Sequence, residues 1–97
     1  MHLGGTMILA VDMGNTQTAI GLFCDDQLLS SWRMPTDRAH TKDEIHVRLL
    51  GFFRMYGHDL SSVEAIAFAG VVPQLVREWE AVAAQIDAEF LAVGRDT

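Results

Sequence analysis

The sequence predicts an α/β domain built on a mixed sheet, in the element order β-β-β-α-β-α-β. Three observations predict it. Strand-like runs near the start are separated by tight turns. Two stretches then carry apolar residues at helical spacing. Short apolar runs lie between those stretches and after them. Consecutive hairpins require antiparallel pairing. Strand–helix–strand connections require parallel pairing through right-handed crossovers. Together they define a mixed sheet covered by helices.

Met7-Ile8-Leu9-Ala10-Val11 is a continuous apolar run, as in a strand buried on both faces. Asp12-Met13-Gly14-Asn15-Thr16-Gln17 has turn chemistry. Thr18 to Cys24 is the second strand, Asp25-Asp26 a second tight turn, and Gln27 to Met34 the third strand. Pro35 stops that strand. Thr41 with Glu44 forms a capping box. Asp43 and Glu44 suit the positive end of the helix it starts. Ile45, Leu49, Phe52, Phe53 and Tyr56 give that helix an apolar face, and Gly57 is a natural terminator. Phe52 and Phe53 cannot both face one core, so one is assigned to the sheet and the other to a neighbour. Val63 to Ala69 reads as a buried strand, and Gly70-Val71-Val72-Pro73 turns out of it. Pro73 stands where the first helical position tolerates proline. The second helix is predicted over Gln74 to Phe90, with Leu75, Trp79, Val82, Ala83, Ile86 and Phe90 in phase. Leu91-Ala92-Val93 is a last strand, closed by Gly94.

The chain has 97 residues, the size of one domain. Two lobes enclosing a cleft do not fit that length. With 49% hydrophobic residues the chain can form a core, so disorder is excluded. The formal charge of −6 disfavours non-specific nucleic-acid binding and anionic membrane surfaces. A bound phosphate must therefore be held locally, by backbone N–H groups or a metal. Cys24 is the single cysteine, so no internal disulfide forms and a reducing compartment is expected. No apolar run reaches a membrane span, and no signal peptide is visible, so a cytoplasmic location is expected. Residues 1–6 read as a leader, an alternative start or a cloning remnant.

One motif carries chemistry. Asp12-x-Gly14-Asn15-Thr16 lies between the first two strands. A carboxylate at a strand end can hold Mg²⁺, usually through waters. Gly14 permits positive φ and close backbone approach to a ligand. Successive N–H groups in such a turn make an anion site. Thr16 and Thr18 add hydroxyl donors. The hairpin thus suits a metal-bound polyphosphate. A plain Gly-Asn turn is the simpler reading, but the apolar strand before it and the order of elements after it favour the ligand site.

Met7 to Phe23 resembles the opening of type III pantothenate kinases. So do Trp32-Arg33-Met34-Pro35-Thr36-Asp37-Arg38, Thr41-x-Asp43-Glu44, Val71-Val72-Pro73 and Ala92-Val93-Gly94, in that order. The resemblance covers residues 7–97 and implies an N-terminal lobe of the actin, sugar-kinase and Hsp70-like superfamily, with a ribonuclease H-like core. It implies ATP-dependent phosphorylation of pantothenate, the first step toward coenzyme A. It further implies Mg²⁺, a monovalent cation (K⁺ or NH₄⁺) and a homodimer. By position, Asp12 would organise Mg²⁺-ATP, and Gly14, Asn15, Thr16 and Thr18 would line the phosphates, with Gln17 a weaker match. Ala69-Gly70 stand where the family usually has Ser-Ser. The family's Gly-Ala-Asp-Arg motif, with its general-base aspartate, is expected beyond Thr97, as is the second lobe. The 97-residue chain by itself is therefore expected to be inactive.

Two alternatives stand beside this reading: a non-catalytic nucleotide-binding or regulatory module of the same fold, and an interaction domain in which Asp12 is only a turn residue. Elsewhere, His40 and His46 lack a third ligand at metal spacing and read as solvent-facing. Cys24 reads as a small core or edge residue. Arg33 and Arg38 either meet an anionic group or stay solvated.

Overall fold

The computed structural model describes residues 5–93. Most of the six-residue leader and the strand-closing Gly94 lie outside them. The elements are β1 (Met7–Met13), β2 (Gln17–Cys24), β3 (Gln27–Pro35), α1 (Lys42–Met55), a 3₁₀ turn (Leu60–Ser62), β4 (Ala65–Gly70), α2 (Pro73–Gln85) and β5 (Glu89–Ala92). They form one five-stranded sheet in the order β3-β2-β1-β4-β5. β1 pairs antiparallel with β2, and β2 with β3. β1 pairs parallel with β4, and β4 with β5. The predicted order and both kinds of pairing are therefore present.

Side chains alternate across a strand. Leu9, Val11, Met13, Ile20, Leu22, Ile66 and Phe68 fall on one face, and both helices pack there through Ile45, Leu49, Phe53, Leu75, Trp79 and Val82. Full burial of such a side chain contributes about 1.5–3 kcal/mol. The other face carries Ala10, Asp12, Ala19, Gly21, Ala67 and Ala69, and holds a shallow recess of about 430 Å³. β1 is therefore buried on one face only, contrary to the expectation from its unbroken apolar run. Ile8 and Ala10, the run's residues on the second face, are half-buried there without a covering helix.

Each helix starts as its sequence dictates. Thr41 and Glu44 cap α1 reciprocally, with the Glu44 Oε1 accepting from the Thr41 N–H at 2.8 Å. Glu78 of α2 accepts the Lys42 N–H at 2.7 Å and ties the two helices together. Pro73 opens α2 at its first position. Both helices end in a Schellman turn, in which a left-handed residue lets two N–H groups reach back to the last carbonyls. In α1 the left-handed residue is Gly57, with φ 76°. The His58 N–H then bonds the Phe53 carbonyl at 2.8 Å.

Three sequence expectations need correction. α2 ends at Gln85 and not at Phe90. Asp87 takes φ 62° and the Ala88 N–H bonds the Ala83 carbonyl at 2.8 Å, so the chain turns five residues earlier than the apolar phase implied. Phe90 belongs to β5, beside Ile66, with its ring 5.8 Å from that of Phe68. The strand predicted from Val63 starts at Ala65, because Asp59 caps the 3₁₀ turn just before it. Phe52 and Phe53 do share one neighbourhood: their rings lie 5.5 and 5.3 Å from Trp32, with Phe52 on the rim and Phe53 buried.

Candidate functional site: the first hairpin

β1 and β4 are parallel and adjacent, so their carboxyl ends open at the same edge of the sheet. Asp12 is the penultimate residue of β1, paired with Ala19 on one side and Ala69 on the other. It is thus held in a strand at the start of the turn. Its carboxylate is exposed and, among the described residues, makes no hydrogen bond or ion pair. Gln17 likewise belongs to a strand, at the start of β2, with its side chain exposed. The turn itself is Gly14-Asn15-Thr16, closed by the Gly14 N–H on the Gln17 carbonyl at 2.8 Å.

Gly14 does not have positive φ, contrary to the expectation. Its lack of a side chain matters for another reason. A Cβ there would lie 3.2 Å from the Gln17 carbonyl oxygen, which is the acceptor that closes the turn.

The chain just after β3 reaches over this turn. The Thr36 N–H bonds the Thr16 carbonyl at 2.9 Å, and the Thr36 hydroxyl donates to the Gly14 carbonyl at 3.0 Å. Thr18 and Thr36 hydroxyls are 2.7 Å apart. Thr18 is fully buried. It therefore lies beneath the loop and does not line its outer surface, which corrects its expected place among the phosphate-facing donors. Its phase along β2 with Ile20 and Leu22 explains the burial. Asn15 and Thr16 are exposed, and among the described residues no acceptor meets their amide N–H groups. Arg38 places a guanidinium nitrogen 3.4 Å from the Asn15 side-chain oxygen. Sequence reasoning missed Thr36, because its partners lie 18 and 22 residues away.

The site can therefore offer exposed amides, a hydroxyl, a guanidinium and one unpaired carboxylate at the mouth of two strands. The donors suit an anion. Mg²⁺ is commonly held by one or two carboxylates and the substrate's own phosphates, and one carboxylate fits that pattern. Among the described residues no cluster of three or more His, Cys, Asp or Glu side chains forms a metal cage.

The turn Gly70-Val71-Val72 leaves β4 beside Asp12. Gly70 has no room for a side chain: a Cβ would fall 2.7 Å from the Phe68 ring. Gly70 is thus the residue compatible with Phe68 as it packs here. The histidines are less exposed than expected. His40 has a side chain only 10% exposed, 3.7 Å from Asp37, and His46 Nδ1 lies 2.9 Å from the Gln85 side-chain oxygen. Cys24 ends the interior strand β2, packed against the core, and partial burial, with Asp25 and Glu64 nearby, pushes its thiol up.

The fold is shared with solved structures. YeaZ from Pseudomonas aeruginosa superposes with a TM-score of 0.66 at 23% identity, covering 92% of this chain and 44% of that one. A Bacteroides thetaiotaomicron protein of unknown function with an actin-like ATPase fold gives 0.64 at 13% identity, covering 93% and 34%. By fold alone, the chain thus falls in the class of actin-like ATPase folds, with an acid-and-glycine hairpin at the carboxyl edge of its sheet.

Within that class its sequence is specific. The family model described as Type III pantothenate kinase matches residues 8–97, and the chain belongs to that family. The type III pantothenate kinase of Desulfotalea psychrophila is 42% identical over 73 residues, covering 75% of this chain and 27% of that protein. That of Rubrobacter xylanophilus is 38% identical over 89 residues, covering 91% and 34%. The chain thus spans about a quarter to a third of these relatives' length.

Proposed function

We propose that this chain is the nucleotide-binding N-terminal lobe of a type III pantothenate kinase, spanning residues 7–97 and acting with a second lobe. The reaction is transfer of the ATP γ-phosphoryl group to pantothenate, giving 4′-phosphopantothenate for coenzyme A synthesis. The observation that carries this reading is the Asp12–Thr16 hairpin, with unpaired amides and an unpaired carboxylate at one strand edge. Phosphoryl transfer depends mainly on positioning and charge stabilisation, and the hairpin supplies parts of both.

In this reading the Asn15 and Thr16 amides and the Thr16 hydroxyl receive phosphate oxygens. Asp12 holds Mg²⁺, which neutralises phosphate charge when bound. Gly14 keeps the turn closed, Gln17 flanks it, and Arg38 lends positive charge beside Asn15. Thr18 supports the loop from below. The general base is an aspartate of a Gly-Ala-Asp-Arg segment beyond Thr97. A monovalent cation (K⁺ or NH₄⁺), a homodimer and a cytoplasmic setting complete the proposal. Among the described residues no helix is long and apolar enough to cross a membrane.

A coupled ATP-turnover assay tests it. A polypeptide joining this lobe to its second lobe gives pantothenate-dependent turnover, and Asp12→Asn removes it. The 97-residue chain alone gives none. Turnover that survives Asp12→Asn would overturn the assignment of the hairpin. Micromolar nucleotide binding without turnover in the joined polypeptide would favour a non-catalytic module.

A further inference from the structure

We propose that Thr36 is a positioning residue for the hairpin, one that aims the Asn15 amide at an incoming phosphate by holding the carbonyl behind it. The inference rests on the phosphate-binding reading given above. A trans peptide is planar, so its C=O and N–H point in opposite directions. The Gly14 carbonyl and the Asn15 N–H belong to one peptide. The Thr36 hydroxyl holds that carbonyl at 3.0 Å. The Asn15 N–H must then point away from Thr36, toward the exposed side of the turn.

Thr36 has one hydroxyl proton, and the Gly14 carbonyl takes it. Thr18, 2.7 Å away, is therefore the donor to the Thr36 oxygen. Because Thr18 is fully buried, water does not compete for its proton. The relay runs Thr18 to Thr36 to Gly14, and it fixes the Thr36 rotor. The backbone does the rest. Pro35 has no N–H, so the next donor available past the end of β3 is that of Thr36, which takes the Thr16 carbonyl at 2.9 Å. One residue thus holds carbonyls on both flanks of Asn15 and leaves its N–H for the ligand.

The experiment is titration of the isotope-labelled 97-residue chain with Mg²⁺-ATP, followed by NMR, together with amide exchange of the free chain. Thr36→Val keeps the shape and removes the hydroxyl. It weakens nucleotide binding about three- to tenfold, the value of one hydrogen bond, and speeds exchange at Gly14, whose N–H closes the turn. Thr36→Ser restores both. A core control, Ile45→Val, lowers the melting temperature without moving the affinity. Should Thr36→Val not fold, Thr36→Ala carries the same expectation without a new methyl to seat. If the unsubstituted chain binds and Thr36→Val binds equally well, the positioning role is wrong while the phosphate reading stands. If the unsubstituted chain takes no nucleotide, the phosphate reading falls and this inference falls with it.

Discussion

The strand β2 is joined at both ends by tight turns, and the two are held in different ways. At Asp25-Asp26 a residue of the turn makes the ties to a neighbouring segment itself. Asp25 takes φ 56°, its N–H bonds the Thr6 carbonyl at 2.8 Å, and its carboxylate accepts the Thr6 N–H at 3.0 Å. At Gly14-Asn15-Thr16 no residue has positive φ. Two of its carbonyls are held by Thr36, and the amides of Asn15 and Thr16 are left open. At the Asp25 turn a turn residue commits its own amide and carboxylate to Thr6, just before β1. At the Gly14 turn another segment, through Thr36, holds the carbonyls and the donors stay free. Buried, unpaired polar groups are costly, but these amides are at the surface, open to solvent.

The same exchange of Asp for Asn at the two turns gives the largest contrast. Asp12→Asn weakens Mg²⁺-ATP binding by about 1.5–3 kcal/mol, roughly ten- to a hundredfold, because the charged ligand is lost. Asp25→Asn leaves the affinity unmoved and stability within about 0.5 kcal/mol, since Asn tolerates the left-handed conformation and keeps an acceptor. Titration calorimetry with parallel urea melts reads both. Next, Gly14→Ala places a Cβ against the closing carbonyl and costs about 1–3 kcal/mol in urea unfolding. The smallest effect is in pH. The Ser61 hydroxyl and N–H hold the Asp59 carboxyl below its ordinary value, and Gln85, then Lys42, do the same for Asp43. A lowered folded pKa means stability that is present above the unfolded value and lost as pH falls through the folded one. The melting temperature therefore drops on acidification below pH about 4. Asp59→Asn shallows that drop.

Much of this architecture is legible in the residues that obey local rules. Thr41 with Glu44 marks the start of α1, Pro73 the start of α2, and Gly57 the end of α1. The two helix ends show where legibility stops. Both are Schellman turns, but in α2 the left-handed residue is Asp87, which looks like an ordinary helix-surface acid. Phe90 happens to continue the helical phase while packing on Phe68 from a strand. Asp87→Gly should stabilise the chain by about 0.5–1 kcal/mol in thermal unfolding, by relieving the left-handed aspartate. In the site, Asp12 and the loop amides follow from local sequence. The burial of Thr18 was readable from its phase with Ile20 and Leu22. Thr36 was not, because its role exists only after β3 is laid beside β2.

Asp12 and the Gly14–Thr16 turn are proposed to receive the nucleotide phosphates. The most direct measurement is a Mg²⁺-ATP titration of the ¹⁵N-labelled chain, repeated with Asp12→Asn. Saturable shifts centred on the Gly14, Asn15 and Thr16 amides, weakened by Asp12→Asn, are the predicted result. Saturable shifts centred instead on the recess between α1 and α2 around His46 and His58, or shifts indifferent to Asp12→Asn, would contradict it.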